Sequence, residues 1–163
     1  MMNSKPFLIA GMVISFVMAM VLSVFPLKYT LASIRPMFMV MVLAFWVLYR
    51  STILGVWVVF LVGIVADILL GTHLGHQAFC ATLMAFVLRL FLIYAKQLSL
   101  MQAWVFAGVG LVVYQVVLWI LQAFSYYDFV WTGFGSLITS IALFPLVWYP
   151  LYWVNHQHKE RAY

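Results

Sequence analysis

Read for apolar and polar positions, the chain is a series of long uncharged runs interrupted by single basic residues, glycines and prolines. The runs fall near residues 7–27, 36–49, 52–70, 78–95, 98–121 and 131–154. A helix rises about 1.5 Å per residue, so about 20 apolar residues cross a hydrocarbon core ~30 Å thick. The pattern therefore predicts an all-α integral membrane fold of about six transmembrane helices. The second run is the weakest, because only 14 uncharged residues separate Arg35 from Arg50. That length also suits a re-entrant or interfacial segment, so six crossings are preferred and five remain open.

Composition supports a bilayer setting. Of the 163 residues 68% are hydrophobic and 7% charged, where a water-soluble domain carries about 25% charged residues. Residues 1–163 read as a single polytopic membrane domain. The opening Met1–Lys5 followed by uncharged Pro6–Leu27 resembles a secretory signal, but the run is too long for one, and it reads as a retained first span. Lys and Arg total 8 against 3 acids, yet they form no cluster able to track phosphates, so nucleic acid is not an expected partner. Basic residues in short loops favour the cytoplasmic side. With the N-terminus inside, Lys5, Arg50, Lys96, Lys159 and Arg161 lie inside, against Lys28 and Arg35 outside, so both termini are expected to be cytoplasmic. Arg89 falls near the inner end of the fourth span, where its stem can snorkel to the headgroups.

The most informative stretch is Gly63-Ile-Val-Ala-Asp67-Ile-Leu-Leu-Gly71-Thr-His-Leu74-Gly75. Where it is helical, Gly63, Asp67, Gly71 and Gly75 form one small-residue stripe that lets two backbones approach closely, with a carboxylate in the packing face. A charge inside a span is expensive and marks a functional or structural site. If the second and third spans form an antiparallel hairpin turning near Ser51, Arg35 and Asp67 lie at equal depth. Asp67 then reads as half of an ion pair with Arg35, with partner contact and ligand or proton binding as alternatives. A second stripe, Gly11, Ser15, Ala19 and Ser23, marks the first span as a helix-docking face, toward this chain or toward a partner.

Candidate chemistry is sparse. His73, His76 and Cys80 have i, i+3, i+7 spacing, but Gly71 and Gly75 imply a loop at the start of this stretch, and a fourth donor is missing, so no metal site is expected. The lone Cys80 permits no internal disulfide. Gln102, Tyr114, Gln115 and Gln122, with Gly108 and Gly110, give the fifth span a mildly polar face suited to interhelical hydrogen bonds and, less readily, to a substrate pocket. The chain contains no G-x-S-x-G, H-E-x-x-H or phosphate-binding Gly-rich loop, and Asp67 has no second carboxylate within a span. The sequence therefore implies neither catalysis nor a cofactor.

With these residues in view, the chain resembles the rod shape-determining protein MreD family. The resemblance runs over nearly the whole length: Arg35-Pro36 opening the second span, Trp46 near its end, Gly55, then Gly63, Asp67, Gly71, Leu74 and Gly75, and Pro145 within the last span. It departs at Tyr49-Arg50-Ser51, where a related member has a proline in the turn. The resemblance implies a non-catalytic, multi-pass component of the bacterial inner membrane that belongs to the cell-wall elongation machinery. It also implies MreC as the direct partner and, through MreC, MreB, RodA and its penicillin-binding transpeptidase. The surfaces such a chain offers are helix stripes, short loops and its contacts with membrane lipids. The alternative from another class is a substrate-binding membrane subunit similar to the S-components of ECF transporters, which also dock through a small-residue stripe on the first helix. Against it stands the shortage of polar side chains able to converge on a ligand.

Overall fold

A computed structural model describes residues 4–24, 36–95, 98–126 and 133–160. Among these residues the chain forms six helices: α1 (Ser4–Val24), α2 (Phe38–Tyr49), α3 (Val56–Leu70), α4 (His76–Tyr94), α5 (Leu100–Tyr126) and α6 (Phe134–Glu160). They coincide with the six apolar runs to within a few residues at most ends. Of them α4, α5 and α6 are long and apolar enough to cross a membrane. Arg35, the expected partner of Asp67, lies outside the described residues, as do Lys28 and Lys96.

The short second run is the centre of the bundle. Residues Met39 to Leu48 of α2 are all buried, with Phe45, Trp46 and Val47 fully so, and the helix packs against α1, α4, α5 and α6. At 12 residues α2 spans roughly 18 Å, well short of the hydrocarbon core. A helix apolar on every side is a buried helix, and neighbouring protein rather than lipid surrounds this one. Its ends are held by side chains of α6. The Met37 N–H donates to Ser140 Oγ (2.8 Å), and Arg50 Nε donates to Asn155 Oδ1 (2.9 Å). The two helices thus run parallel.

The second and third spans are not packed closely backbone to backbone, although Met39, Val40 and Leu43 of α2 line one small cavity with Val62 and Gly63 of α3. α3 packs chiefly on α4, and its contact with α2 is slight beside α2's contacts with α1, α4, α5 and α6. The reason lies at Gly63: a Cβ built there would stand 2.3 Å from Ala78 Cα. Only glycine lets the two backbones come this close, so α3 and α4 form the intimate pair.

Other helix ends and breaks are settled locally. Ser99 and Gln102 form a capping box at the start of α5, each side chain accepting from the other's backbone N–H (3.3 Å both ways). Gln102 therefore belongs to a helix end rather than to the polar face expected for this span. Pro145 lies inside α6 and deprives the carbonyl four residues earlier of its helical donor. That carbonyl, of Ile141, accepts instead from Trp104 Nε1 of α5 (2.9 Å). On the side of α6 facing α2, Trp148 Nε1 donates to Tyr49 Oη (2.9 Å) and the Trp148 ring stacks on Tyr152, an internal aromatic cluster.

Candidate functional site

Asp67 is fully buried near the end of α3, at the turn into α4. Gly71 closes the helix in the left-handed region, with φ +64°. Its N–H and that of Thr72 (3.1 Å) both donate to the Asp67 carbonyl, a glycine C-cap that satisfies an otherwise orphaned acceptor. The chain turns through residues 71–75 and enters α4 at Gly75, whose φ is +98°. No side chain at Gly75 can cap the new helix; Asp67 does so across the turn. Its Oδ1 accepts from Thr72 Oγ1 (2.8 Å) and the Gln77 N–H (2.9 Å). Its Oδ2 accepts from the Gly75 N–H (2.8 Å) and, more weakly, the Ala78 N–H (3.4 Å). The carboxylate thus stabilises the positive end of the α4 dipole and satisfies N–H groups that an apolar surrounding would leave costly.

This geometry corrects the stripe read from the sequence. Gly63 is a packing position, but Gly71 and Gly75 lie beyond the end of α3 as turn residues, and a Cβ at either would meet nothing within 4 Å. What they supply is a backbone conformation that L-residues rarely adopt. Leu74 sits on the turn with 73% of its surface exposed. Pro36 lies just before α2, half-buried.

Below the turn, Tyr114 Oη of α5 donates to Gln77 Oε1 (2.5 Å), and Gln115 is buried against Gly133. Tyr114 and Gln115 are thereby engaged with neighbouring elements. Cys80 is buried. The His73 and His76 rings lie 5.4 Å apart, and among the described residues no group of three His, Cys, Asp or Glu side chains is placed to hold a metal.

The stripe on α1 faces this chain over at least part of its length. Trp46 Nε1 donates to Ser15 Oγ (2.9 Å), Ala19 is buried, and a Cβ on Gly11 would come within 3.0 Å of Val154 on α6. Ser23 is half-buried. Beside this contact α1 and α6 diverge and leave an apolar lateral groove of about 530 Å³, with Ala10, Ile14 and Met18 on one wall, Pro150 and Trp153 on the other and Val42 at its floor. Sequence reasoning did not foresee the groove, since its walls come from the two ends of the chain. Its available signal was the pair Pro145 and Pro150, which disturb α6 where it should close on α1.

Among the described residues no nucleophile stands beside a base and the groove between α1 and α6 is lined almost wholly by apolar side chains. No curated protein and no solved structure matches the chain. A family model described as rod shape-determining protein MreD matches residues 5–154, and with the Asp67 turn and its glycines inside that match, the chain belongs to the MreD family of membrane proteins that determine rod shape.

Proposed function

We propose that this protein is a non-catalytic component of the bacterial inner membrane that binds MreC and thereby regulates lateral peptidoglycan synthesis, reaching MreB, RodA and its penicillin-binding transpeptidase through MreC. The observation that carries this reading is the lateral groove between α1 and α6: it is apolar, open to the side and walled by small residues such as Ala10 and Gly11. In lipid, close van der Waals packing against small residues drives helix association, so the groove suits the single span of MreC. Exposed Leu74, on a turn pinned by Asp67, is a second contact point at the far end of α3. The chain crosses the membrane with both termini cytoplasmic. Gly11 meets Val154, which brings the first and last helices together at the end that carries Arg50, in keeping with the excess of basic residues assigned to that side.

The test is copurification of MreC with variants that fill the groove. Ile14 and Met18 are 63% and 62% exposed, so Ile14→Trp with Met18→Trp should leave the bundle folded and abolish MreC capture. Parent-level capture by this variant overturns the groove as the MreC site. A reporter fused after Tyr163 that is active in the periplasm overturns the orientation.

A further inference from the structure

Arg89 lies in α4 near the end of the bundle that carries Arg50. Its Nη2 donates to the backbone carbonyls of Ser51 (3.3 Å) and Leu54, in the loop between α2 and α3. The guanidinium thus reaches the loop at the end of the bundle where the sequence places it near the headgroups. Both of these partners are neutral. Its Nε is buried and has no partner among the described residues. The buried acid Asp67 is at the opposite end of α3. A half-buried cation whose partners among the described residues are carbonyls alone is only partly compensated, since a counter-charge adds to what hydrogen bonds return for its removal from water.

Next to Arg89 is an open recess of about 310 Å³ lined by Ser51, Arg89, Leu92 and Ile93. Arg89 and Ser51 are its polar lining residues and Leu92 and Ile93 its apolar ones. The apolar lining continues along α4 as Ile93, Leu90 and Phe86, which are 75%, 44% and 56% exposed and follow helical spacing on one face. Tyr94, 86% exposed at the end of the helix, has the amphipathic ring that settles at headgroup level. A site with a cation at the interface and an apolar track leading from it toward the membrane centre matches an amphiphile with an anionic head.

We propose that this recess binds an anionic phospholipid, its phosphate on Arg89 and Ser51 and an acyl chain along Ile93, Leu90 and Phe86. A guanidinium presents its N–H groups in a fork that fits phosphate oxygens. The positive surroundings, with Arg50 across the same loop, select against headgroups that carry their own ammonium. Bound there, the lipid neutralises Arg89 and ties the loop between α2 and α3 to α4.

The experiment is native mass spectrometry of the purified full chain with synthetic phosphatidylglycerol and phosphatidylcholine at equal concentration. One basic residue at a membrane surface corresponds to about fivefold in affinity, so the parent should retain phosphatidylglycerol about fivefold more than phosphatidylcholine. Arg89→Gln should remove the preference, whereas Arg50→Gln, whose cation is engaged with Asn155, should keep most of it. Because Arg89 also anchors the loop, Ile93→Glu supplies an independent test: it keeps the Arg89 side chain, places a carboxylate one helical turn away where it competes with phosphate for the guanidinium, and should abolish the preference in a folded protein. Equal retention of the two lipids by the parent, or a preference that survives Ile93→Glu, overturns the proposal. Thermal stabilisation of the parent by millimolar inorganic phosphate alone, equal to that from phosphatidylglycerol, overturns the lipid assignment in favour of a free anion.

Discussion

Replacing Asp67 by asparagine preserves the side chain's size while removing its charge and one acceptor oxygen, and the structure fixes what that costs. The amide is best placed with its oxygen toward the N–H groups of Gly75 and Ala78, and its NH2 toward Thr72 Oγ1, which can turn to accept. The Gln77 N–H, now 2.9 Å from Oδ1, then faces a donor and loses its partner. A hydrogen bond to a charged group is worth about 1.5–3 kcal/mol, and the loss of a negative charge at the α4 N-terminus adds about 0.3–1 kcal/mol. The expected penalty is about 2–4 kcal/mol, and Asp67→Ala, which leaves every one of these donors unmet, should cost more. Equilibrium unfolding of the purified protein in mixed SDS micelles reads the difference, and scoring rod shape in cells at matched protein level reads its consequence. If Asp67→Asn lies within about 0.5 kcal/mol of the parent, the typical scatter between independent sites, the capping argument is wrong. A round-cell phenotype in that stable variant would then move Asp67 from the fold to a partner surface.

Three further outcomes follow from the packing. Gly63→Ala forces the α3 and α4 backbones apart and should destabilise by about 1–3 kcal/mol. Gly71→Ala meets no atoms and should cost about 1–2 kcal/mol through its positive φ alone, less as Gly71→Asn; equal tolerance of Asn at 63 and 71 in the same unfolding assay would contradict the distinction. Trp104→Phe leaves the Ile141 carbonyl without its donor and should cost about 1–2 kcal/mol. Pro145→Ala restores a backbone N–H to that carbonyl, so the cost of Trp104→Phe should vanish in its presence, and an additive double-mutant cycle would refute the compensation. The Arg35 and Asp67 pairing, still a proposal, predicts a coupling of about 0.5–3 kcal/mol between Arg35→Ala and Asp67→Asn. The exchange Arg35→Asp with Asp67→Arg is expected to fail even if the pair exists, because an arginine at 67 turns donors toward the N–H groups that the carboxylate now holds.

Sequence alone determined where the helices lie. Apolar run length, single basic residues and glycines act locally, so the six runs and the turn at 71–75 were legible, and so was Asp67 as an unusual buried charge in a small-residue setting. Tertiary structure decided which helix is central and what each polar group meets. In a membrane chain a leucine facing lipid and a leucine facing protein are equally apolar, so α2, whose ten residues Met39 to Leu48 are buried, differs little in sequence character from α3, whose Ile68 is 66% exposed. Its shortness was visible; that the shortness meant enclosure by four other helices was not. The glycines show the same division. Spacing by four placed Gly63, Gly71 and Gly75 on one stripe, but whether a glycine serves close approach or positive φ depends on where the helix stops. Gly71 closes α3 locally, but that the Asp67 carboxylate then caps the next helix, and that Gly63 meets the Ala78 backbone, are contacts between helices that spacing alone does not encode.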